Sequence, residues 1–577
     1  MLKRLLILGM MAAPACVLAQ VKKPGASTER APGKPMTSID SVMVKQYFFS
    51  ALHEKTIENF PLAADLFNRV LQTDANNDAA MYELAGMKKL QKDNDGARQL
   101  LERAVTINAN NEWYWISLAD CYEKTNDLAK LENVFNQLIR LAPDKPDYYF
   151  DKANAYYLQK RYDEALAVYK QIEGITGLTD DIVAQRQKIY LKQNKVDQAA
   201  AELESMMAAN PGQVRYYLLL AEIYNSNGQN AKALPVLQKA ARLDPNNGLV
   251  HLALADIYRE KKDAEACFSE LELAFAVPDL DIDQKIRIIM GYIPKFPEPN
   301  AKASALELSR ILTTAHPTNA KAFALYGDML MQSAKFKEAK PAYKRSIELD
   351  EQVYAVHEQL VRLDLGDNDI DGAIKDGQNA LSLFPNQAWM NYLVGVAYLQ
   401  KKNYTKSLSY LKNTTSLELQ DKELLSQCFS ALGDVYHEQK DNVKSDEAYD
   451  RSLTYNPDNA YTLNNYAYYL SVRGDQLEKA ARMSKHSNDI QPNTASFQDT
   501  YAWILFRQKN YAEARVWIEK ALVSDKDHSA VKEEHYGDIM FYLGDTNAAV
   551  ANWKKAKEYG GASPVLERKI NERKYIE

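Results

Sequence analysis

Residues 214–247 read VRYYLLLAEIYNSNGQNAKALPVLQKAARLDPNN, and the spacing of their apolar positions decides the fold. Tyr217, Leu220, Ala221 and Tyr224 fall at i, i+3, i+4 and i+7, the buried stripe of one helix. Ser226-Asn227-Gly228-Gln229 interrupts that stripe, and Ala233, Leu237 and Ala240 begin a second one. Small residues at 221 and 233 let the two axes approach closely, because larger side chains would hold them apart. Pro245 cannot continue the second helix and sets a turn into whatever follows. A single hairpin of this size has too little apolar surface to fold alone and must bury it against neighbours.

The neighbours are written in the same register. Steps of 34 residues from Ala63 reach Ala97, Leu131, Ala165, Ala199, Ala233 and Cys267. The column goes on through Ala305, Ala339, Ala373, Ser407, Ser445, Ala480, Ala514 and Ala549 with steps of 34 to 38. A second small column stands twelve residues earlier: Ala51, Ala85, Ala119, Ala153, Ala221, Ala255, Gly327, Gly395, Gly433, Ala502 and Gly537, with Ala467 slipped by one. Prolines recur twelve residues after the first column, at 143, 211, 245, 317, 385, 457 and 492. Three columns in one register predict a repeat array.

With Tyr/Trp–Leu–Gly/Ala–Tyr, then Ala–Phe/Leu–Ala, then Pro, this pattern resembles the tetratricopeptide repeat. Trp115, Leu118, Ala119, Tyr122, Phe135 and Pro143 carry the resemblance in one unit, and Gly433, Tyr436, Tyr449 and Pro457 in another. It extends over about fifteen units between residues 44 and 561. It implies an all-α solenoid of stacked hairpins, wound as a right-handed superhelix. The expected segments are a signal peptide (1–19), a flexible basic linker and the start of the first helix (20–43), and seven units (44–283). Four units follow (284–425, the first degenerate), then four more (426–561) and a capping helix (562–577). Gln187 departs from the small column, and Pro294, Pro297 and Pro299 should break a first helix early. Insertions of about four residues near 279–283 and 420–423 are expected to act as joints.

The N-terminus reads MLKRLLILGMMAAPACVLAQ: a basic start, a short apolar run, Pro14, and small residues before a cleavage point after Ala19. An exported protein, periplasmic or peripheral at an outer membrane, is expected. A lipoprotein acylated at Cys16 is the rival reading, weakened by Pro14 and by the apolar Val17-Leu18. No later stretch is apolar for long enough to form a transmembrane helix. Cys121, Cys267 and Cys428 are widely separated and form no CxxC, so neither a disulfide framework nor a zinc site is indicated.

Composition narrows the function. Of 577 residues, 71 are Lys or Arg and 77 Asp or Glu, with no long basic block, which argues against general nucleic-acid binding. No GxSxG, HExxH, Walker-type or GxGxxG motif occurs, so no enzyme, cofactor or metal site is expected. His528 and His535 stand seven apart and read more readily as packing residues than as ligands.

In the repeat family, first-helix positions 2, 5, 9 and 12 line a groove that captures peptides. Projected onto this chain they give an aromatic C-terminal surface: Trp389, Tyr392, Tyr461, Asn464, Tyr468, Trp503, Phe506 and Phe541, flanked by Arg507 and Asp538. Rings beside amide and charged groups suit peptide capture. The lysine–asparagine clamp that some members use on a peptide C-terminus is not evident. Residues 461–556 are similar to terminal repeats of bacterial envelope adaptors. The expected function is a scaffold binding protein or peptide partners of the cell envelope. The alternatives are a glycan or peptidoglycan binder with the Trp389–Trp503 rings as platforms, or a subunit of a secretion or outer-membrane assembly complex. Tyrosine is abundant, at 36 residues, and Tyr122, Tyr156, Tyr190, Tyr224, Tyr258, Tyr398 and Tyr436 account for part of it as one packing column.

Overall fold

The computed structural model describes residues 36–526, 528–561 and 563–577. The proposed signal peptide, Cys16 and most of the basic linker lie outside them. Among the described residues thirty helices pair into fifteen hairpins from Ser38–Thr56/Phe60–Thr73 to Ala530–Tyr542/Thr546–Glu558, followed by a short helix at Leu566–Glu572. No strand occurs among the described residues. The chain divides into two compact units, one ending at Pro245 and the other starting at Asn246.

Local sequence sets the helix ends. Asn77, Asn111, Asn319 and Asn459 each accept a backbone N–H of the first turn, as N-caps do. Between the two helices of a hairpin the chain passes through one left-handed residue. Glu58, Lys92, Asn126, Lys160 and Asn194 hold it at 34-residue spacing with φ of 57–65°, and Gly228 continues the series at 71°. This fourth column terminates those first helices by an αL cap, whereas the helix Ile282–Met290 ends at Gly291 with φ of -65°. Sequence reading missed it because lysine and asparagine, not glycine alone, fill it.

Packing follows the small columns. All fifteen members of the first column, from Ala63 to Ala549, are buried. In the second column the missing side chain admits a large one from the second helix, sixteen residues on. Ala51 is matched by Phe67, Ala119 by Phe135 and Ala153 by Tyr169, all buried. Where the small residue is glycine, the fit is tighter: a Cβ on Gly327 would stand 2.5 Å from the Tyr343 ring, and one on Gly433 2.6 Å from Tyr449. One hairpin places Val361 on the first helix and Gly377 on the second, where a Cβ would run into the Val394 side chain of the next first helix and lie 3.7 Å from Val361.

A further column carries a polar tip to the preceding loop. Trp115, Tyr149, Tyr217 and His357 each donate to the carbonyl six residues back, at 2.9, 3.0, 3.1 and 2.9 Å. Four members of the tyrosine column, Tyr122, Tyr224, Tyr398 and Tyr436, have the ammonium of the lysine eight residues on within 5.0–5.8 Å of the ring centre.

The departures are absorbed locally. Gln187 reaches across its hairpin and donates to the Ala199 carbonyl at 3.4 Å. The proline-rich hairpin has a nine-residue first helix, Ile282–Met290, then a 3₁₀ turn at Ile293–Lys295, and its second helix starts at Pro299. Buried Lys285 ties the insertion before it, donating to the carbonyls of Phe275 (2.9 Å) and Val277 (2.6 Å), with His316 Nε2 at 2.9 Å. Burial pulls this ammonium down to about 8. The insertion at 420–423 lengthens the following first helix to seventeen residues, Lys422–Glu438, against thirteen at Ala388–Gln400. Four residues are close to one helical turn, so the register of the buried face is preserved.

Candidate functional site

Two of the projected groove residues, Tyr392 and Tyr461, line one cavity. The first helices Ala388–Gln400, Lys422–Glu438 and Ala460–Arg473 enclose about 650 Å³ lined by Tyr392, Glu423, Asp434, Asp458, Tyr461 and Asn465, among others. Its charged lining residues are all acidic. Tyr461 projects with 62% of its surface exposed and packs edge-on against buried Phe497 at 5.4 Å. Tyr392 is half-buried and meets Trp389 edge-on at 5.8 Å. Trp389 is held from two sides, its indole N–H donating to Asp421 at 3.2 Å and the Arg362 guanidinium lying 4.6 Å from its ring centre.

Asp434 sits deepest in electrostatic terms. Its carboxylate accepts from the Tyr449 hydroxyl at 2.5 Å and from Asn465 Nδ2 at 3.4 Å. Burial pushes its carboxyl up to about 6, against the pull of those two hydrogen bonds, and no cation stands among its neighbours. Glu423 accepts from Gln427 at 2.7 Å, and Asp458 faces His486 Nε2 at 2.7 Å.

The last hairpins are arranged differently, because the end of the described chain covers them. Lys569, only 4% exposed, donates to Glu534 at 2.8 Å and to both oxygens of Asp538 at 2.8 and 2.7 Å. Asp538 also accepts from the Trp553 indole at 2.9 Å. Burial raises its carboxyl while Lys569 pulls it back. The Tyr575 ring lies 5.8 Å from Phe506 and 5.3 Å from Tyr542, and Arg507 pairs with Glu577 at 3.4 Å.

The ten predicted residues therefore separate into groups. Tyr392 and Tyr461 line the cavity, and Trp389 packs on Tyr392 outside that lining. Tyr468 is half-buried, 5.7 Å from Tyr469. Trp503 is half-buried and stacks with Phe506 (4.9 Å) and with His535 (4.2 Å). Phe541 is half-buried beside Trp553 at 6.1 Å. Three are corrections to the expectation of an exposed surface. Asn464 is buried, its Nδ2 on Asn465 and its Oδ1 unpartnered, while Phe506 and Asp538 lie beneath Tyr575 and Lys569. Arg507 stays partly accessible but is engaged by Glu577. The physical reason for these last three is the covering segment, whose docking no periodicity announces. His535 is the partner of Asp499, at 2.8 Å, and His528 lies against Tyr559 at 5.4 Å.

Sequence reading passed over Asp434, Glu423 and Asp458, because acidic residues in a helical repeat read as solvated faces. It also passed over a second opening of about 510 Å³ at the proline-rich hairpin, where Arg259, Lys262, Arg287 and Lys295 surround Phe268 and Tyr292. Among the described residues no group of three or more His, Cys, Asp or Glu is placed to hold a metal ion, and no helix is long and apolar enough to cross a membrane.

Three profiles described as tetratricopeptide repeat match the chain, one over residues 188–248, one over 89–149 and one over 146–176 and again over 320–353. The hairpins within those residues match tetratricopeptide-repeat profiles. No curated protein sequence matches the chain. Among solved structures, the APC/C hetero-tetramer Cut9–Hcn1 aligns at 15% identity over 87% of this chain and 97% of that one, with a TM-score of 0.37. Naa15/Naa10 bound to HypK-THB aligns at 12% over 92% and 99% (TM-score 0.32). Yeast Tom70 aligns at 14% over 86% and 94% (TM-score 0.31).

Proposed function

We propose that this tetratricopeptide-repeat chain is a non-enzymatic scaffold of the bacterial cell envelope that docks partner proteins through the groove face of its later repeats. The observation that carries the reading is the cavity at Tyr392, Asp434 and Tyr461, since it gathers groove positions from three successive first helices. A surface assembled across repeats reads an extended segment of a partner, with rings supplying buried area and amides supplying backbone hydrogen bonds. The envelope assignment is supported by the basic start, apolar run and small residues of the first twenty positions.

The glycan alternative is less well supported. Stacking a sugar needs an open ring face, whereas Trp503 is stacked by His535 and Phe506, and Trp389 is covered by Arg362.

Affinity capture from envelope extract tests the scaffold. A partner retained in stoichiometric amount by the wild type and lost with Tyr392→Ala/Tyr461→Ala is the expected result. Retention on stripped cell wall with no protein partner would overturn it. Amino-terminal sequencing of the expressed protein tests export, with Gln20 expected as the first residue.

A further inference from the structure

Three times in this chain a Gly-Asp pair on a first helix is followed, fifteen residues after the Asp, by a ring whose polar tip donates to that carboxylate. The pairs are Asp328 with Tyr343 (2.7 Å), Asp434 with Tyr449 (2.5 Å) and Asp538 with Trp553 (2.9 Å). In each the glycine leaves the space that the ring fills. The construction fixes a carboxylate at groove position 9 and uses one of its acceptor sites, leaving others directed elsewhere.

What the remaining acceptors take is shown once in the molecule itself. At Asp538 a lysine ammonium arrives from a different segment of the chain, and Lys569 Nζ reaches both oxygens while sharing Glu534. Asp328 is open to water on one side, although packing still raises its carboxyl, and it lines no cavity of the kind at Asp434. Asp434 has neither arrangement. It lines the cavity with Glu423 and Asp458, no lysine or arginine lines that cavity, and tyrosine rings stand at two sides of it. A partly desolvated carboxylate without a cation is an unfavourable state that an entering ammonium would relieve, and the adjacent rings favour a cation over their faces.

We propose that the Asp434 cavity is the docking site for a lysine side chain of a partner protein's extended segment, which occupies it as Lys569 occupies the Asp538 site. Asp434 binds the ammonium, Glu423 and Asp458 attract it, and Tyr461 at the accessible rim packs along the lysine stem. The inference rests on the groove-docking reading above and deepens it by naming the chemistry recognised.

The test uses the full mature chain and, as probe, an acetylated and amidated Gly-Ala-Lys repeat peptide, titrated at physiological salt by calorimetry or fluorescence anisotropy. Saturable binding is expected, weakened at least tenfold by Asp434→Asn and several-fold by Tyr461→Ala. Asp371→Asn, which removes an acid 81% exposed and absent from the cavity lining, should leave it unchanged. Lysine acetylation of the peptide should abolish binding. Tyr461 is exposed, so its variant keeps the test decisive should Asp434→Asn fail to fold. Equal affinity for the acetylated peptide, an undiminished affinity in both cavity variants, or displacement by spermidine at the peptide's own affinity would each overturn the inference. A captured envelope partner insensitive to Asp434 would overturn it and leave the scaffold standing, whereas the absence of any partner would overturn the scaffold.

Discussion

At Gly433 and at Gly537 the chain repeats one local construction: a missing Cβ, a ring from the second helix in its place, and an aspartate receiving the polar tip of that ring. The surroundings then diverge. Around Asp538 the helix Leu566–Glu572 closes the site and Lys569 supplies a counter-charge; around Asp434 three first helices leave a cavity lined with further acids. One backbone solution thus serves two purposes. Filled from within the chain it holds a buried ion cluster, and left open it presents its acids to a cavity.

The largest effect is expected at Lys569. Replacing it with Met removes the ammonium that Glu534 and Asp538 share and leaves His535 as the positive neighbour, and losing one partner of a buried pair costs about 3–5 kcal/mol. Chemical denaturation with hydrogen exchange should localise that loss to the last hairpins; an unchanged exchange pattern there would deny Lys569 its role. Next in size is the glycine itself. Gly433→Ala pushes a methyl into the Tyr449 ring and should destabilise by about 1–3 kcal/mol, as should Ala339→Leu in the other small column. Gly86→Ala has nothing within 4 Å and should instead gain up to about 1 kcal/mol from helix propensity. Equal thermal shifts at the two glycines would contradict the packing register.

A smaller effect separates the two aspartates by pH. Asp434 faces Tyr449, Asn465 and, further off, Glu438, and its carboxyl lies near 6 against an ordinary 3.8. Between about pH 4 and 6 the folded chain retains a proton that the unfolded chain releases, so stability falls as pH rises through that window and is level above it. Asp434→Asn should remove about 1–2 kcal/mol of that fall, allowing for residual solvent contact. Superimposable pH profiles would show that the carboxylate is not desolvated. Smallest of all, Tyr461→Ala should alter stability by no more than about 0.5 kcal/mol, since the ring is mostly exposed, while its effect on binding is large.

Much of this architecture was legible in the residues. The two small columns and the prolines gave fifteen hairpins and their turns, because a residue that must be small to let helices meet recurs wherever they meet. The early end of the helix at Met290 followed from Pro294, Pro297 and Pro299. The insertion at 420–423 was visible, but its form was not, since an added helical turn and an added loop have similar lengths in sequence. The site was legible only in part. Trp389, Tyr392 and Tyr461 could be placed from groove register alone. Phe506, Arg507 and Asp538 could not, since their environment depends on a segment more than thirty residues away whose packing has no repeat to betray it. Asp434 was hidden for the opposite reason: a single acid on a helix says nothing until the ring beneath it and the cavity above it are both known.

The most direct measurement is a crystal structure of the mature chain with the lysine repeat peptide at saturating concentration. A lysine ammonium within about 3 Å of the Asp434 carboxylate, beside Tyr461, is the predicted result. An empty Asp434 cavity, or a peptide seated elsewhere on the repeats, would contradict the account.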